Sequence, residues 1–232
     1  MVKSGRQAPA GETTDRRLLR GIESRRAVTR RAVDIASLDG LDGVSFGRLA
    51  DDLGISKAGI QTLFRTKEAL QLATVEAARE AFVDAVIRPA LPSPAGVARL
   101  RALVDRWIDY AVQPLFPGGC FWGANLPEFD SRPGPVRDVL HQHQQAWHAT
   151  LATQFQRAVA RGEIADTDPE SAAFQVSALL NAVNLAVRLG DDDRIAMARH
   201  VIGDLLTPPS HDSQRAPRRS STTSTKPPTT TR

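Results

Sequence analysis

Polar and basic side chains of the kinds that bind nucleic acid are concentrated between Ser45 and Lys67. The Gln61 amide carries a donor and an acceptor side by side, which is the pair that reads adenine in the major groove of DNA. The lysine and arginine side chains nearby can contact phosphate, which positions a protein on DNA without reading its sequence. Ala58 and Gly59 lack bulk, so a helix that contains them could approach the floor of a groove. These residue types predict DNA binding, provided that one helix presents them together.

Two short helices joined by a tight turn are the elements that would present these side chains. Ser45 is a good N-cap, because its hydroxyl can accept a hydrogen bond from a backbone N–H of the next turn. Gly54 stands where a helix must end in the left-handed conformation, which glycine adopts at little cost. Ser56 caps the second helix, Lys57 to about Phe64, and Ile55 is expected to fill the turn from inside. Such a pair is a helix-turn-helix, whose second helix is sized to enter the major groove.

Further helices flank this pair on both sides. Apolar residues recur at helical spacing from Arg25 to Asp39 and predict a supporting first helix. Thr66 can cap a long helix that reaches about Arg88, where Pro89 and Pro92 would stop it. Apolar residues surround that long helix on nearly every side, so we expect it to be buried and to connect two parts of the molecule.

Read in order, A-V-D-I-A, G-V-S-F, L-G-I-S-K-A-G-I and L-F-R-T-K-E-A-L resemble the DNA-binding domain of the TetR family of transcriptional regulators. The resemblance covers about a fifth of the chain and rests on spacing, caps and glycines that agree in order. It implies an all-α protein of about nine helices. A three-helix DNA-binding domain at 21–70 would be joined by the long helix to a ligand-binding and dimerisation domain at 71–206. Gln61 and Leu63 depart from the family, which usually has tyrosine at the first position and often histidine or tyrosine at the second.

The residues expected to contact DNA lie on the recognition helix, at its ends, and on the two helices before it. They are Arg30, Ser45, Arg48, Ser56, Lys57, Ala58, Gly59, Gln61, Thr62, Arg65 and Lys67. Lys57 and Gln61 are expected to face base edges, whereas Arg65 and Lys67 lie where phosphate contacts are made. The competing interpretation is that several of these side chains are ordinary surface residues.

Composition agrees with a helical protein that meets phosphate at one end. At 232 residues the chain could hold one large domain or two small ones. Its hydrophobic content of 41% is enough for a core. Residues 1–31 hold nine lysines and arginines against three acidic residues, a net +6, and residues 207–232 carry +4, which leaves −6 for 32–206. A basic arm beside a helix-turn-helix fits phosphate binding. Residues 1–20 and 207–232 are rich in polar residues, Gly or Pro and have no apolar period, so both are expected to be disordered.

The remaining sequence predicts a helical body. Ser93-Pro94 is a start signal for a helix that runs to about Val112, with Ser93 as its N-cap. A long helix is expected from Pro133 to Gly162, another from Asp168 to Leu189, and a short final one at 191–206. The last two helices have more apolar positions than one core face needs. In the family the corresponding pair packs against its copy in a second subunit as a four-helix bundle, which implies a homodimer. The alternative is a larger monomeric core.

The aromatic stretch from Phe116 to Asp130 has two interpretations. It could be an irregular connector folded over the core, or the aromatic wall of a small-molecule pocket. The run G-G-C-F-W through E-F-D-S-R-P-G-P-V-R also resembles the C-terminal regulatory domain of one TetR subgroup. The candidate pocket residues are Trp107, Phe116, Cys120, Phe121, Trp122, Asn125, Phe129, Trp147 and Phe174.

Other chemistry has little support in the sequence. No phosphate-binding glycine loop, nucleophile elbow or His-Glu zinc motif occurs, so neither an enzyme nor a cofactor is predicted. His141, His143 and His148 share a segment without cysteine or carboxylate partners at ligand spacing, so no metal site is predicted. The single cysteine suits a reducing cytoplasm, and we expect neither a signal peptide nor a membrane span.

Three functions remain open at the level of sequence. The first is a homodimeric transcriptional regulator, more specifically a repressor that a small apolar ligand releases from a palindromic operator. The second is a thiol-based redox sensor or a helical enzyme centred on Cys120, because two glycines before it could expose the thiol. The third is a non-specific architectural DNA-binding protein.

Overall fold

A computed structural model describes the backbone of residues 10–208 and the side chains of 21–208, and within that range it contains helices and no strands. The nine helices are α1 (Ala10–Asp39), α2 (Phe46–Leu53), α3 (Lys57–Phe64), α4 (Lys67–Phe82, continued by a π-helical segment Val83–Ile87 and a turn Arg88–Ala90), α5 (Val97–Val112), α6 (Phe121–Phe129), α7 (Pro135–Ala160), α8 (Pro169–Arg188) and α9 (Asp193–Leu205). A single 3₁₀ turn, Leu41–Gly43, follows α1. The predicted all-α fold of about nine helices is confirmed.

The first helix begins much earlier than the sequence indicated. It starts at Ala10, whereas the sequence predicted disorder to about residue 20 and a helix from Arg25. Helix formers such as leucine, glutamate and arginine predominate in that stretch, and Glu12 and Asp15 carry the charge that a helix N-terminus favours. The prediction of disorder is therefore wrong for residues 10–20. Residues 1–9 and 209–232, on which the rest of the arm and tail predictions fall, lie outside the described residues.

The caps of the helix-turn-helix are confirmed. The Ser45 hydroxyl accepts a hydrogen bond from the Arg48 N–H at 3.2 Å, and the Ser56 hydroxyl accepts one from the Gly59 N–H at 3.1 Å. Gly54 adopts the left-handed conformation, with φ of 63°. Only the expectation for Ile55 is wrong, because 41% of this residue is exposed and it does not fill the turn.

A small apolar core holds α1, α2 and α3 together. Ile35 of α1, Leu49 of α2 and Ile60 of α3 are almost completely buried. Phe64 is also buried, and the Arg25 guanidinium lies 4.4 Å from the centre of its ring. Because burial of a large aliphatic side chain stabilises by about 1.5–3 kcal/mol, a few such residues suffice to fix α3 on its support.

The long fourth helix continues through Pro89, the first of its two predicted stops, and ends before Pro92. Before it ends, its turns widen from α-helical to π-helical. Pro89 has no N–H, and its ring conflicts with the carbonyl one turn back in a regular α-helix. The chain adopts a π-helical turn over Val83–Ile87, in which the Arg88 N–H donates to the carbonyl of Val83, five residues earlier. Such widened turns are frequent at functional sites.

Helix α5 does not begin as the sequence predicted. The expected N-cap, Ser93, lies before the helix, which starts at Val97 with Gly96 at φ of 102°. The Glu163 carboxylate accepts a hydrogen bond from the Val97 N–H at 2.8 Å, and the Gln154 side chain accepts one from the Gly96 N–H at 3.3 Å. A side chain of α7 and another from the turn after it thus replace the local cap.

The aromatic stretch is largely helical, so the interpretation as an irregular connector is wrong for 121–129. Phe121, Asn125 and Phe129 recur every fourth residue and are buried on one face of α6. That face packs against α1, which local sequence signals could not reveal. Within the described residues, none of the helices has the length and apolar character needed to cross a membrane.

Candidate nucleic-acid interface and ligand cavity

Helix α3 presents one face to its support and the other outward. Ile60 and Phe64 are buried, and the polar and small residues between and before them are exposed. The exposed set is Ser56, Lys57, Ala58, Gly59, Gln61 and Thr62. The predicted DNA-contacting residues of this helix therefore lie together on one outward surface, next to exposed Arg65 just past its end.

Three of the residues predicted to contact DNA already bond to other groups within the chain. The Arg48 guanidinium lies 2.6 Å from the Asp39 carboxylate, and the Lys67 ammonium donates to the Asp42 carbonyl at 2.9 Å. The Thr62 hydroxyl donates to the Ala58 carbonyl at 2.9 Å. Arg48 and Lys67 therefore brace the loop between α1 and α2, and they could meet phosphate only with their remaining donors.

An arginine that the sequence analysis missed fixes the recognition helix. Arg25 donates to the Leu63 carbonyl at 2.8 Å and stacks on Phe64, so it joins α1 to the end of α3. Because Arg25 lies in a run of basic residues, the sequence indicated only an ordinary solvent-exposed side chain. Arg30, which was predicted to contact DNA from α1, is exposed.

A second site is a cavity of about 560 Å³ in the helical body, between α4, α5, α6, α7 and α8. All three tryptophans of the chain line it, as does Cys120. Phe82 lies at the centre of the aromatic wall, with its ring 5.3 Å from Trp122 and 5.5 Å from Trp147. Of the predicted pocket residues, Trp107, Cys120, Trp122 and Trp147 line the cavity.

The other predicted pocket residues do not line it. Phe121, Asn125 and Phe129 are buried in the core outside the cavity wall, because α6 turns that face away from the cavity. Phe116, in the loop before α6, is also buried outside the wall. Phe174 is 65% exposed on the outside of α8. Sequence reasoning missed residues that distant helices bring to the wall, among them Arg79, Phe82, His143, Gln144, Ser177, Asn181 and Asn184.

Arg79 and His143 belong to the polar part of the wall, and Glu76 pairs with Arg79 just outside it. The Arg79 Nε lies 2.9 and 3.0 Å from the two carboxylate oxygens of Glu76. Hydrogen bonding from Arg79 lowers the pKa of Glu76, so this carboxylate is ionised. His143 Nε2 lies 3.7 Å from the same carboxylate, but burial lowers the pKa of this imidazole. His143 is therefore neutral near pH 7.

Cys120 is buried and unsuited to thiol chemistry. Burial raises the pKa of its thiol, although hydrogen bonds from Gly123, Tyr110 and Trp122 partly offset the effect. A thiol that stays protonated is a poor nucleophile and is slow to oxidise. Within the described residues no three His, Cys, Asp or Glu side chains are grouped as metal ligands would be.

Helix α6 lies between the cavity and the helix-turn-helix. Its Trp122 side lines the cavity, and its opposite side binds the end of α1. The Glu128 carboxylate accepts hydrogen bonds from the Leu41 and Asp42 N–H groups at 2.8 and 3.0 Å, and the Asn125 amide donates to the Ala36 carbonyl at 3.1 Å. One short helix therefore lines the cavity and also holds the end of α1, the helix that supports α3.

Comparison with known proteins finds one family model and several solved structures that are similar to this chain. The family described as "Tetracyclin repressor-like, C-terminal domain" matches residues 96–202. A TetR transcriptional regulator from Chloroflexus aurantiacus J-10-FL, whose crystal structure was determined at 1.80 Å resolution, is 25% identical with a TM-score of 0.73, over 79% of this chain and 93% of that chain. Residues 96–202 therefore match a TetR-type regulatory domain, and the fold of the described residues is similar to that of TetR-family transcriptional regulators.

Other solved structures share the fold at lower identity. A regulator from Agrobacterium tumefaciens is 19% identical with a TM-score of 0.71, over 80% of this chain and 99% of that one. AibR in complex with isovaleryl coenzyme A and operator DNA is 22% identical with a TM-score of 0.64, over 79% of this chain and 98% of that one. No curated protein matches the chain significantly.

Proposed function

We propose that this protein is a homodimeric repressor of the TetR family that binds a palindromic operator and leaves it when a small molecule occupies the cavity. The observation that carries the proposal is the pairing of two sites in one chain. Helix α3 exposes Lys57 and Gln61 on a firmly capped support, and an aromatic cavity of about 560 Å³ lies in the body. A cavity of this size and lining is typical of small-molecule sites.

The DNA-binding domain, residues 21–70, contacts one half-site in this proposal. Lys57 and Gln61 face base edges, while Arg30 and Arg65 contact phosphate at the margins. Two copies related by two-fold symmetry would place their α3 helices in successive major grooves, about 34–36 Å apart. The spacing of the two α3 helices then decides whether a palindromic site is bound.

The regulatory domain, residues 71–206, supplies the dimer interface. Helices α8 and α9 expose large apolar side chains that no part of the described chain covers, and a shallow depression of about 460 Å³ separates them. These side chains are Phe174, Leu185, Leu189, Met197 and Val201. A patch of this kind marks an interaction surface, and a second copy would cover it as a four-helix bundle.

Helix α6 and helix α4 carry the signal between the two domains. Occupation of the cavity acts on Trp122 and Leu126 of α6, and the other side of α6 is fixed to the end of α1 through Asn125 and Glu128. A ligand shifts this arrangement only if it binds one state of the dimer more tightly than the other. We propose that it favours the state whose α3 spacing does not fit the operator.

Relatives supply precedents for both kinds of partner. AibR has been crystallised in complex with isovaleryl coenzyme A and operator DNA, and a putative transcriptional regulator from Saccharomonospora viridis has been crystallised in complex with choline. From these structures we infer for this chain only that the same fold can bind both DNA and a small molecule.

A mobility-shift assay with the DNA upstream of the protein's own gene tests the proposal. We expect a discrete complex that survives excess random DNA, because base contacts add to the phosphate contacts that all DNA provides. A complex that random DNA removes in equal proportion would point to the architectural alternative and would overturn the proposal. The Cys120→Ser variant should bind as the wild type does, with or without oxidant.

A further inference from the structure

The cavity wall has an uneven distribution of charge that indicates what kind of molecule it accepts. Among the described residues that line it, only Arg79, His143 and Cys120 can ionise. Burial keeps His143 neutral and Cys120 protonated near pH 7. Among the lining residues that the structure describes, the one formal charge is therefore the positive charge of Arg79, and none is a carboxylate.

The Arg79 guanidinium keeps donors free for a ligand. Its Nε and one terminal nitrogen bind Glu76, which lies one turn earlier on α4 and outside the cavity wall. A guanidinium has five N–H donors, so the second terminal nitrogen remains available. The Arg79 side chain is 41% exposed, which places it where the cavity meets solvent.

Two buried polar atoms at the same wall lack partners. Trp122 Nε1 and His143 Nδ1 make no hydrogen bond within the described residues, and the two rings lie 6.2 Å apart. The indole N–H can only donate, whereas Nδ1 of a neutral imidazole donates in one tautomer and accepts in the other. Because leaving a buried polar group unpaired costs stability, such atoms in a binding site point to a ligand that pairs with them.

We propose that the effector is a hydrophobic organic carboxylate, with its apolar body between Trp122, Trp147 and Phe82 and its carboxylate directed to Arg79. This inference rests on the proposed function, since it names the ligand class of the same cavity. The carboxylate shares Arg79 with Glu76 and accepts a hydrogen bond from the terminal nitrogen that Glu76 leaves free. Aromatic rings supply the contact area for the apolar part.

The test compares three probes of matched length that differ in the polar group: 4-phenylbutyrate, 4-phenylbutyramide and 4-phenylbutylammonium. Quenching of tryptophan fluorescence in the full chain without DNA reports occupancy, because all three tryptophans line the cavity. We expect the carboxylate to bind at least about tenfold more tightly than the ammonium ion, as a charge-assisted hydrogen bond allows.

Three variants separate the charge effect from a general disturbance of the fold. Arg79→Gln should weaken carboxylate binding about tenfold and change amide binding by no more than about twofold. Glu76→Gln should strengthen carboxylate binding, because it removes the competing anion, and a damaged fold would not produce that gain. The control is Arg88→Gln, since Arg88 pairs with Asp84 farther along the same helical run and does not line the cavity.

Three results would overturn the inference: no carboxylate binding, tighter binding of the ammonium ion, or equal effects of Arg79→Gln and Arg88→Gln. The first two would mean that the cavity takes another class of molecule, the second specifically a cation held by aromatic faces. Each outcome is independent of DNA binding. Specific operator binding without carboxylate preference leaves the regulator proposal intact, and carboxylate binding without operator recognition leaves the ligand class intact.

Discussion

Gln61 is the one side chain on the exposed face of α3 with a donor and an acceptor on a single planar group. Arg65, at the end of the helix, is exposed and has φ of 62°, a conformation held by its N–H bond to the Gln61 carbonyl. The first side chain suits base recognition and the second suits phosphate. Two exposed residues close together in the chain are thus expected to contact different parts of the DNA.

At this scale we expect Gln61→Ala to change the preferred operator sequence, because the variant loses the group that pairs with adenine. Arg65→Ala should instead weaken binding to all sequences alike and lower the slope of log affinity against log salt by about 1. Binding-site selection from a random DNA pool, followed by titrations at several salt concentrations, measures both effects. If the two variants select altered sequences to the same degree, the assigned roles are wrong.

The joint between α1 and α6 shows how close two elements can approach when one residue lacks a side chain. The Gly118 N–H donates to the Ser37 hydroxyl at 3.0 Å in the loop that leads into α6. A Cβ on Gly118 would lie 1.7 Å from the Ser37 carbonyl oxygen, which is backbone and cannot turn aside. The end of α1 and the start of α6 therefore fit only with glycine at this position.

At the scale of elements we expect Gly118→Ala to lower the free energy of unfolding by about 1–3 kcal/mol, as overpacking does elsewhere. Gly21→Ala is the matched control, because nothing lies within 4 Å of a Cβ placed there within α1. That change should stabilise by about 0.5–1 kcal/mol. Urea denaturation followed by circular dichroism measures both, and an unchanged midpoint for Gly118→Ala would contradict the predicted clash.

Within residues 21–208, one apolar surface is left uncovered. Leu185 on α8 is 61% exposed, Leu189 just past the end of α8 is 75% exposed, and Met197 on the adjoining α9 is 55% exposed. Dispersed apolar residues are normal on a protein surface, but a contiguous set on two neighbouring helices is not. The proposed dimer would bury this set and fix the separation of the two α3 helices.

At this scale we expect Leu189→Glu to dissociate the dimer at micromolar concentration, since the interface would then bury an unpaired charge on each side of the symmetry axis. Sedimentation velocity measures the change, and affinity for a palindromic site should fall with it. Leu91→Glu is the control, because Leu91 is 51% exposed but lies in the turn after the long fourth helix. A dimeric Leu189→Glu protein would place the interface elsewhere.

The sequence by itself determined the elements whose signals are local. Ser45, Gly54 and Ser56 act on hydrogen bonds within a few residues of themselves, so the two helices of the helix-turn-helix could be read with their caps. The periodicity of apolar residues likewise determined the all-α class and the approximate extent of α7, α8 and α9. These features depend on neighbours in the chain, which the sequence shows directly.

The tertiary structure alone decided what depends on distant partners. Helix α5 begins at Val97 because Glu163 reaches its N-terminus, and the aromatic stretch becomes helical where Asn125 and Glu128 bind the end of α1. The cavity includes Phe82 but excludes Phe121, because the packing of α6 selects which face meets the cavity and which meets α1. A residue type states what a side chain could bind, but only the packing of helices far apart in sequence decides where it points.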